Sequence, residues 1–317
     1  MIDILNLALP YFGLIFIGYA CGKFQRLPQT GLAWMNFFLL YVSLPALFFR
    51  ILAKTPFEQL NNPPFVIATT AATATAFFLS MFSAKLIGKL STRESAMAGL
   101  GGGYGNIGYM GPGLALSTLG AQAAVPVALV FCFDSIFLFS IVPLFMVVTD
   151  GERWPLLPTI GLIVKHILLH PLIIASYCGA LVAAFHIQMP VALDSMLQLL
   201  QGAAAPVALF ALGVTVALSP FYRVPWEVPG VVFIKLILHP LIAFALLTML
   251  GPFPPFWAAS ALLLASLPPA LNVFVIARQY DTWIESASTV VLVGTFVSVI
   301  TLTSVMWLIK TGAVTLP

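Results

Sequence analysis

The stretch GGGYGNIGYMGPG, from Gly101 to Gly113, lies in the middle of a hydrophobic segment long enough to cross a bilayer. Glycine weakens a helix and an interior proline interrupts it, so we expect this segment to be broken near its centre. Broken backbone persists at membrane depth only where protein or a water-filled cavity satisfies its polar groups. A second such stretch, SLPPALN, runs from Ser266 to Asn272. The two breaks therefore indicate a solute site within the membrane.

The composition is typical of a protein embedded in a lipid bilayer. Hydrophobic residues make up 61% of the 317 residues and charged residues only 7%, which is far from the balance of a soluble domain. We predict an all-α integral membrane protein with ten transmembrane helices. These helices are placed at roughly residues 4–22, 32–53, 64–88, 94–118, 121–148, 157–184, 193–218, 228–250, 255–279 and 284–309. The basic residues are spread over loops without forming a patch, so we expect no nucleic-acid partner.

Lysine and arginine set the expected orientation, because cytoplasmic loops carry an excess of positive residues. With the N-terminus outside, ten of these residues fall at the inward ends of the helices and three at the outward ends. The inward group comprises Lys23, Arg26, Lys85, Lys89, Arg93, Arg153, Lys165, Arg223, Lys235 and Arg278. The outward group comprises Arg50, Lys54 and Lys310. We therefore expect both termini on the extracytoplasmic side of the membrane.

A constant offset relates the two halves of the chain. Pro10 in the first predicted helix and Pro171 in the sixth are 161 residues apart, and so are Pro45 and Pro206. Chance similarity between apolar segments is the alternative, and the recurrence of one offset counts against it. Each half holds five helices, so the second half must enter the membrane in the opposite sense. This pattern predicts a 5+5 inverted repeat, in which paired broken helices mark the binding site of a secondary transporter.

Three motifs of the chain are similar to those of one transporter family. They are LPALFF (residues 44–49), YGNIGYMGPGLA (Tyr104–Ala115) and LPPALNVFVIARQY (Leu267–Tyr280). In these motifs the chain resembles the auxin efflux carrier family of ten-helix transporters. It is similar to the short bacterial form, which includes malonate and malate permeases. The resemblance covers the whole chain.

The resemblance implies how the two five-helix repeats, residues 1–150 and 151–317, are used. It implies a scaffold from helices 1, 2, 6 and 7, and a transport core from helices 3–5 and 8–10. Helices 4 and 9 would cross at the substrate site. The resemblance also implies the bacterial inner (plasma) membrane as the location and a homodimer formed through the scaffold. No cofactor or metal is expected.

Asn106 and Asn272 are the leading candidates for contact with a solute. The middle of helix 4 falls near Asn106 and that of helix 9 near Pro268 and Pro269, so both breaks are expected near the membrane midplane. A break leaves a half-helix N-terminus whose free N–H groups and partial positive charge favour an anion. The two amides can donate hydrogen bonds to that anion. The alternative is that each asparagine caps its own broken helix.

Aromatic and kink-forming residues complete the predicted site. Tyr104 and Tyr109 could line it with ring and hydroxyl, although aromatic residues in a membrane helix serve equally well for packing. The family pattern implies that Ser43, Pro45 and Pro206 face the transport core, against the solute. The alternative explanation of these three residues is a kink in the scaffold helices.

Asp134 is the one acidic residue deep in the membrane, where a carboxylate is costly enough to indicate a function. Three states are open: the carboxyl could be neutral, carry a coupled proton, or pair with a lysine. Lys165 and Lys235 each lie seven or eight residues inside the cytosolic end of a helix. We expect both lysine side chains to extend back to the membrane interface.

Together these features predict a secondary transporter of a small organic anion, such as malonate, malate or an auxin-like carboxylate, working by alternating access. The chain has no Walker A motif, so a gradient or the membrane potential would drive transport, and Asp134 would support proton coupling. A sodium-coupled symporter of the bile-acid type is the alternative, although the interiors of helices 4 and 9 contain no Asp or Glu. The motifs of intramembrane hydrolases are missing, so no enzyme activity is expected.

Overall fold

The computed structural model describes residues 2–25, 29–56, 62–149, 161, 165, 168–169, 171–218 and 224–313. All regular secondary structure in this part of the chain is helical, as predicted. Outside the helices, an isolated antiparallel bridge joins Gly105 to Pro269.

The helices follow one another along the chain, and most of the described connections between them are short. The described part of the first half forms α1 (Ile2–Phe24), α2 (Gln29–Phe38), α3 (Leu44–Ala53), α4 (Pro63–Leu86), α5 (Thr92–Gly103), α6 (Gly111–Leu119) and α7 (Ala124–Thr149). The second half forms α8 (Pro171–Ala184), α9 (Val191–Leu218), α10 (Val228–Phe233), α11 (His239–Leu250), α12 (Pro255–Ala265), α13 (Asn272–Gln279) and α14 (Ile284–Thr311). A π-helical turn at Leu39–Ser43 joins α2 to α3, and another at Ile234–Leu238 joins α10 to α11.

Several of these segments are long and apolar enough to cross a membrane. Within the described residues there are six: Gly31–Ala53, Pro63–Leu86, Ala121–Met146, Val191–Leu218, Val228–Leu250 and Ile284–Thr311. Shorter apolar helices lie at Leu9–Phe24, Pro171–Ala184 and Pro255–Ala265. Most of the first half of the helix predicted at 157–184 lies outside the described residues. The described residues thus form helices, several of which have the length and composition needed to span a membrane.

Both glycine- and proline-rich stretches interrupt a helix, as predicted. Residues 104–110 separate α5 from α6, and residues 266–271 separate α12 from α13. In the second break, Pro268 and Pro269 have no N–H to donate, and Pro268 disfavours a helical conformation at Leu267. The helix can resume only after the two prolines, and α13 begins at Asn272.

Each π-helical turn is followed by a proline. Pro45 is the second residue after the first turn, and Pro240 is the second residue after the other. A proline ring crowds the carbonyl four residues earlier, and the backbone responds here by widening. The residue just before each proline then bonds five residues back: Leu44 N–H to Leu39 O, and His239 N–H to Ile234 O. Such turns often occur at functional sites, and the second turn contains Lys235.

The chain is organised as two compact units. The first unit comprises Met1–Asn62, Gly108–Cys132 and Leu169–Pro220, and the second comprises Pro63–Ile107, Phe133–Leu168 and Phe221–Pro317. The division passes through the first break, so α5 belongs to the second unit and α6 to the first.

In the first unit, α1 packs along α9, and α3 packs against α8 and α9. A Cβ atom at Gly18 of α1 or Gly213 of α9 would collide with the backbone of the other helix, so these glycines permit the close approach. At the start of α9, the Asp194 carboxylate accepts from Arg50 Nε at 2.7 Å and from Lys54 Nζ at 2.8 Å. These contacts tie α1, α3 and α9 together.

In the second unit, α4 packs along both α5 and α11. The Phe65 ring of α4 meets Trp257 of α12 edge to face, with centroids 4.7 Å apart. The buried carboxylate of Glu227, just before α10, accepts hydrogen bonds from Trp283 Nε1 at 3.2 Å and Ser286 Oγ at 2.8 Å. This unit holds both ends of the second break and the α5 end of the first.

Candidate functional site

The two helix breaks pair with each other through their backbones. Asn106 N–H donates to Pro268 O at 2.8 Å, and Ala270 N–H donates to Tyr104 O at 2.9 Å. Gly105 and Pro269 lie opposite each other between these bonds. Within an unbroken helix these backbone N–H and C=O groups would bond to groups in the same helix. Here they bond to groups of the other break instead. This mutual pairing is how irregular backbone is accommodated at the predicted membrane depth.

Close packing against α14 holds the second break in place. A Cβ atom added at Gly294 of α14 would lie only 2.5 Å from Pro269 Cδ. Any other residue at position 294 would therefore push the proline, and the bridge to Gly105, out of position. The glycine is a condition for the observed pairing of the breaks.

Asn106 lies inside the pairing, almost completely buried. Only 1% of the residue is exposed, and its side-chain Oδ1 has no hydrogen-bond partner. The residue that caps α6 is Met110, and no side chain caps that helix. The alternative role of Asn106, capping its own broken helix, is therefore not what the structure shows. A buried amide oxygen without a partner is a group that a ligand or water can satisfy.

Asn272 also makes no cap for its own helix. It is the first residue of α13, whose cap residue Leu271 makes no side-chain capping bond. Instead, Asn272 Nδ2 donates to Tyr104 Oη at 3.2 Å. This bond links the second break to the first. Three of the candidate residues, Tyr104, Asn106 and Asn272, therefore lie together at the paired breaks.

The N-terminus of α13 offers fewer free donors than the sequence suggests. Val273 N–H donates to Ala270 O at 3.0 Å, and Phe274 N–H donates to Leu271 O at 3.0 Å. These short-range bonds satisfy two of the N–H groups that were expected to be free. The helix dipole still directs its positive end towards the break, but the asparagine amides become the more important donors.

Tyr104 both packs within the second unit and takes part in the paired breaks. Its ring meets Phe139 of α7 edge to face, with centroids 5.7 Å apart, and only 2% of the residue is exposed. Tyr109 belongs to the first unit, because the division falls between Ile107 and Gly108, and it is half-buried. The structure thus places the two tyrosines in different units.

Ser43, Pro45 and Pro206 also belong to the first unit. Ser43 Oγ is buried and donates to Leu200 O of α9 at 2.6 Å, which ties the first π-helical turn to α9. Pro206 lies within α9, next to Ala205, which packs against Gly113 of α6. In the first unit these residues therefore connect α9 with the π-helical turn and with α6.

Asp134 of α7 is buried in the second unit. Its Oδ2 accepts a hydrogen bond from Thr73 Oγ1 of α4 at 2.7 Å. The Thr70 hydroxyl interacts with the same carboxyl, but Oδ1 has no partner at hydrogen-bond distance. Among the described residues, Asp134 makes no direct ion pair with a lysine. Direct pairing, one of the three states left open by the sequence, is therefore not observed.

The side chain of Lys235 does not lie where the sequence analysis predicts. It was expected to reach the membrane interface, but it is completely buried, with 0% exposure. Its Nζ lies 2.6 Å from Ala265 O, the last carbonyl of α12, and 3.3 Å from where a Cβ atom of Gly105 would be. The side chain therefore reaches the paired breaks. Lys165, in contrast, is exposed.

One sequence signal could have pointed to Lys235. His239 follows it by four residues, so the two side chains share a helix face, and their Nζ and Nδ1 atoms are 3.1 Å apart. Two adjacent polar residues on one face of a membrane helix favour the protein interior over lipid. Without Lys235, nine basic residues remain at the inward ends against three outside, so the expected orientation is unchanged.

Comparison with known proteins identifies the family. A family model described as "Membrane transport protein" matches residues 3–306. A protein of Rhizobium meliloti (strain 1021) named "Putative malonate transporter" is 42% identical over 314 residues, which cover 99% of this chain and 98% of that protein. A protein of Escherichia coli (strain K12) named "Uncharacterized transporter YfdV" is 24% identical over 301 residues, covering 92% of this chain and 93% of that protein. The chain therefore belongs to the membrane transport protein family, the auxin efflux carrier family that its motifs resemble.

Proposed function

We propose that this transporter moves a small organic anion across the membrane by alternating access, with the paired breaks as its binding site. The observation that carries the proposal is the pairing itself. It positions the buried side chain of Asn106, whose Nδ2 group is a hydrogen-bond donor, beside the break that carries Asn272. The relative named for malonate supports a small carboxylate as the substrate.

The chemistry of the site suits a carboxylate. Amide N–H groups donate to anionic oxygens without carrying a charge of their own, and the N-terminal end of α13 adds a partial positive charge. Asn272 is half-buried, and one of its two Nδ2 hydrogens remains after the bond to Tyr104. We assign contact with the anion to the amides of Asn106 and Asn272, with Tyr104, Pro268 and Pro269 shaping the site.

We further propose that the chain is a ten-helix 5+5 inverted repeat that works as a scaffold and a transport core. The composition of the two units supports this division. The first unit contains α1–α3, α8 and α9, and the second contains α4, α5, α10–α14 and most of α7. The first unit also contains α6, which the family pattern assigns to the core. The first break would thus join the two functional parts.

Energy coupling is assigned to Asp134 and a proton. Its buried carboxyl can exist charged or neutral, and its only hydrogen bond at normal distance among the described residues is the one from Thr73. A proton gradient could then be linked to movement of an anion. Coupling to sodium, as in bile-acid symporters, is the second candidate, and the same transport assay distinguishes the two.

The test is transport of labelled malonate by purified protein in proteoliposomes. Imposed proton gradients, sodium gradients and membrane potentials are applied separately. We expect the proton gradient to change malonate accumulation and the sodium gradient to leave it unchanged. Dependence on sodium alone would favour the alternative, and absence of transport of malonate, malate and indole-acetate would overturn the proposal.

Asn106→Ala tests the site in the same vesicles. We expect transport to fall by about tenfold or more, because a hydrogen bond to a charged group is worth about 1.5–3 kcal/mol. Asn36→Ala is the matched control, because Asn36 lies in α2, outside both breaks. Normal transport by Asn106→Ala would show that the solute binds elsewhere.

A further inference from the structure

Four buried polar side chains form a continuous chain in the second unit. Lys235 Nζ lies 3.1 Å from His239 Nδ1, and His239 Nε2 lies 3.3 Å from Thr73 Oγ1. Thr73 Oγ1 donates to Asp134 Oδ2 at 2.7 Å. All four residues are less than 5% exposed. A lysine and an aspartate are thus connected through two neutral side chains within the membrane.

The three hydrogen bonds that connect these four side chains can all be donated in the same direction, from Lys235 towards Asp134. A protonated Lys235 has no lone pair on Nζ, so in that state it donates to His239 Nδ1. A neutral histidine that accepts on Nδ1 carries its hydrogen on Nε2 and donates it to Thr73. Thr73 in turn donates to the carboxylate. The geometry therefore fits a positively charged Lys235 and a negatively charged Asp134, whose charges balance across the chain.

The positive end of the chain lies at the paired breaks. Lys235 Nζ donates to Ala265 O at the end of α12 and lies beside Gly105, the residue before Asn106. The other end, Asp134 Oδ1, has no partner at hydrogen-bond distance and can accept a proton. Among the described residues, the titratable groups that face Lys235 and Asp134 are each other and His239.

Burial of unbalanced charge is costly in a membrane, because neither lipid nor a dry protein interior solvates an isolated ion. An empty carrier with Lys235 charged and Asp134 charged is balanced. A singly charged carboxylate, such as the monoanion of malonate, adds one negative charge when it arrives beside Lys235, and a proton on Asp134 restores the balance. An anion without the proton, or a proton without the anion, leaves one charge uncompensated.

We propose that Lys235 and Asp134 perform a counter-ion exchange that couples one proton to each anion. The anion takes the place of Asp134 as the counter-charge of Lys235, and Asp134 takes up a proton from the side on which the anion enters. One O–H bond forms on the carboxylate, and that bond breaks when the anion leaves on the other side. Thr73 and His239 are positioning residues that hold the two charged groups. This proposal rests on the proposed function as an anion transporter.

The wild-type protein provides the first test. Malonate is added to purified protein in weakly buffered detergent solution near pH 7, and proton uptake is followed with a pH indicator dye. We expect about one proton to be taken up for each malonate bound, after correction for the ligand's own protonation. Binding without proton uptake by the protein would overturn the exchange, whatever the behaviour of any variant.

Two variants separate the roles of the charged residues in proteoliposomes. Asp134→Asn keeps Lys235 charged but cannot take up a proton. The carrier without substrate then holds an unpaired positive charge, so it should not return to the side of the membrane on which it binds malonate. We expect exchange of internal for external malonate to persist while net uptake falls by about tenfold or more. Lys235→Met removes the positive charge, and we expect malonate binding to weaken by about tenfold or more.

Lys165→Met is the matched control, because it removes an exposed lysine. Lys235→Arg keeps the charge and should retain more binding than Lys235→Met if charge is what matters. Wild-type proton coupling in Asp134→Asn would overturn the exchange while leaving anion transport intact. A wild-type protein that transports no anion would overturn both this proposal and the proposed function.

Discussion

At the scale of single residues, the polar groups at the breaks differ in how they are satisfied. Asn272 donates to Tyr104, whereas Oδ1 of Asn106 is buried without a partner. An unsatisfied buried polar group costs about 1–3 kcal/mol. Retaining such a group at the pairing of two broken helices is expected of a ligand-binding residue rather than of a stabilising one.

This contrast predicts opposite effects of two similar substitutions. Asn272→Ala should lower stability by about 1 kcal/mol, because its hydrogen bond to Tyr104 is lost. Asn106→Ala should leave stability unchanged or raise it slightly, because it removes an unsatisfied oxygen. Thermal unfolding of the purified protein in detergent measures both. A larger fall in Tm for Asn106→Ala than for Asn272→Ala would contradict this assignment.

Thr73 predicts a second effect at this scale. Thr73→Val keeps the shape of the side chain but removes the donor to Asp134, leaving the buried carboxyl without its hydrogen bond at normal distance. We expect a loss of about 1–3 kcal/mol of stability. Thr73→Ser keeps the hydroxyl and should retain most of the wild-type Tm. Equal Tm values for Thr73→Val and the wild type would show that the bond contributes nothing.

At the scale of helices, the breaks depend on what packs against them. Residues 104–106 pair with residues 268–270, and α14 supports the second break through Gly294. An isolated peptide with either sequence would lack these partners. The break is therefore a property of three helical elements together, although glycine and proline decide where it can occur.

Gly294→Ala tests this support. The added methyl group would lie 2.5 Å from Pro269 Cδ, so the proline or α14 must move. Overpacking of this kind costs about 1–3 kcal/mol, and we expect a lower Tm together with reduced malonate transport.

Gly202→Ala is the control for Gly294→Ala. It introduces the same methyl group into α9, where nothing lies within 4 Å of the new atom. Alanine favours a helix over glycine by about 1 kcal/mol, so its Tm should be unchanged or higher. Wild-type Tm and transport in Gly294→Ala would show that the second break does not need this contact.

At the scale of the whole molecule, charge distribution predicts how the chain sits in the membrane. From the excess of lysine and arginine at the inward ends, we expect the connection between α4 and α5 to lie in the cytoplasm and that between α8 and α9 to lie outside. Ile87 and Gln188 are exposed in these two connections. They therefore report on the two faces of the membrane.

Labelling of single cysteines measures this orientation in intact cells. Cys21, Cys132 and Cys178 are first replaced by serine, and then Ile87→Cys or Gln188→Cys is introduced. A membrane-impermeant maleimide should label the Gln188→Cys variant and leave the Ile87→Cys variant unlabelled until the cells are permeabilised. The reverse pattern would place both termini in the cytoplasm.

Much of the architecture could be predicted because it depends on local chemistry. Hydrophobic segments of sufficient length must be helical in a bilayer, since no water is present to satisfy their backbone groups. Glycines at 101–113 and prolines at 268 and 269 determine where those helices can be interrupted. Asn106 and Asn272 could be selected from the sequence because one amide lies within the first interruption and the other directly after the second.

Only the tertiary structure showed which groups meet. Lys235 is far in sequence from both breaks, and its side chain could equally have extended to the interface, because a long flexible stem allows either position. Asp134 likewise acquires its hydrogen-bond partner, Thr73, from α4. Helices and their breaks follow from short-range preferences of the residues, whereas hydrogen bonds between distant side chains depend on how the helices pack.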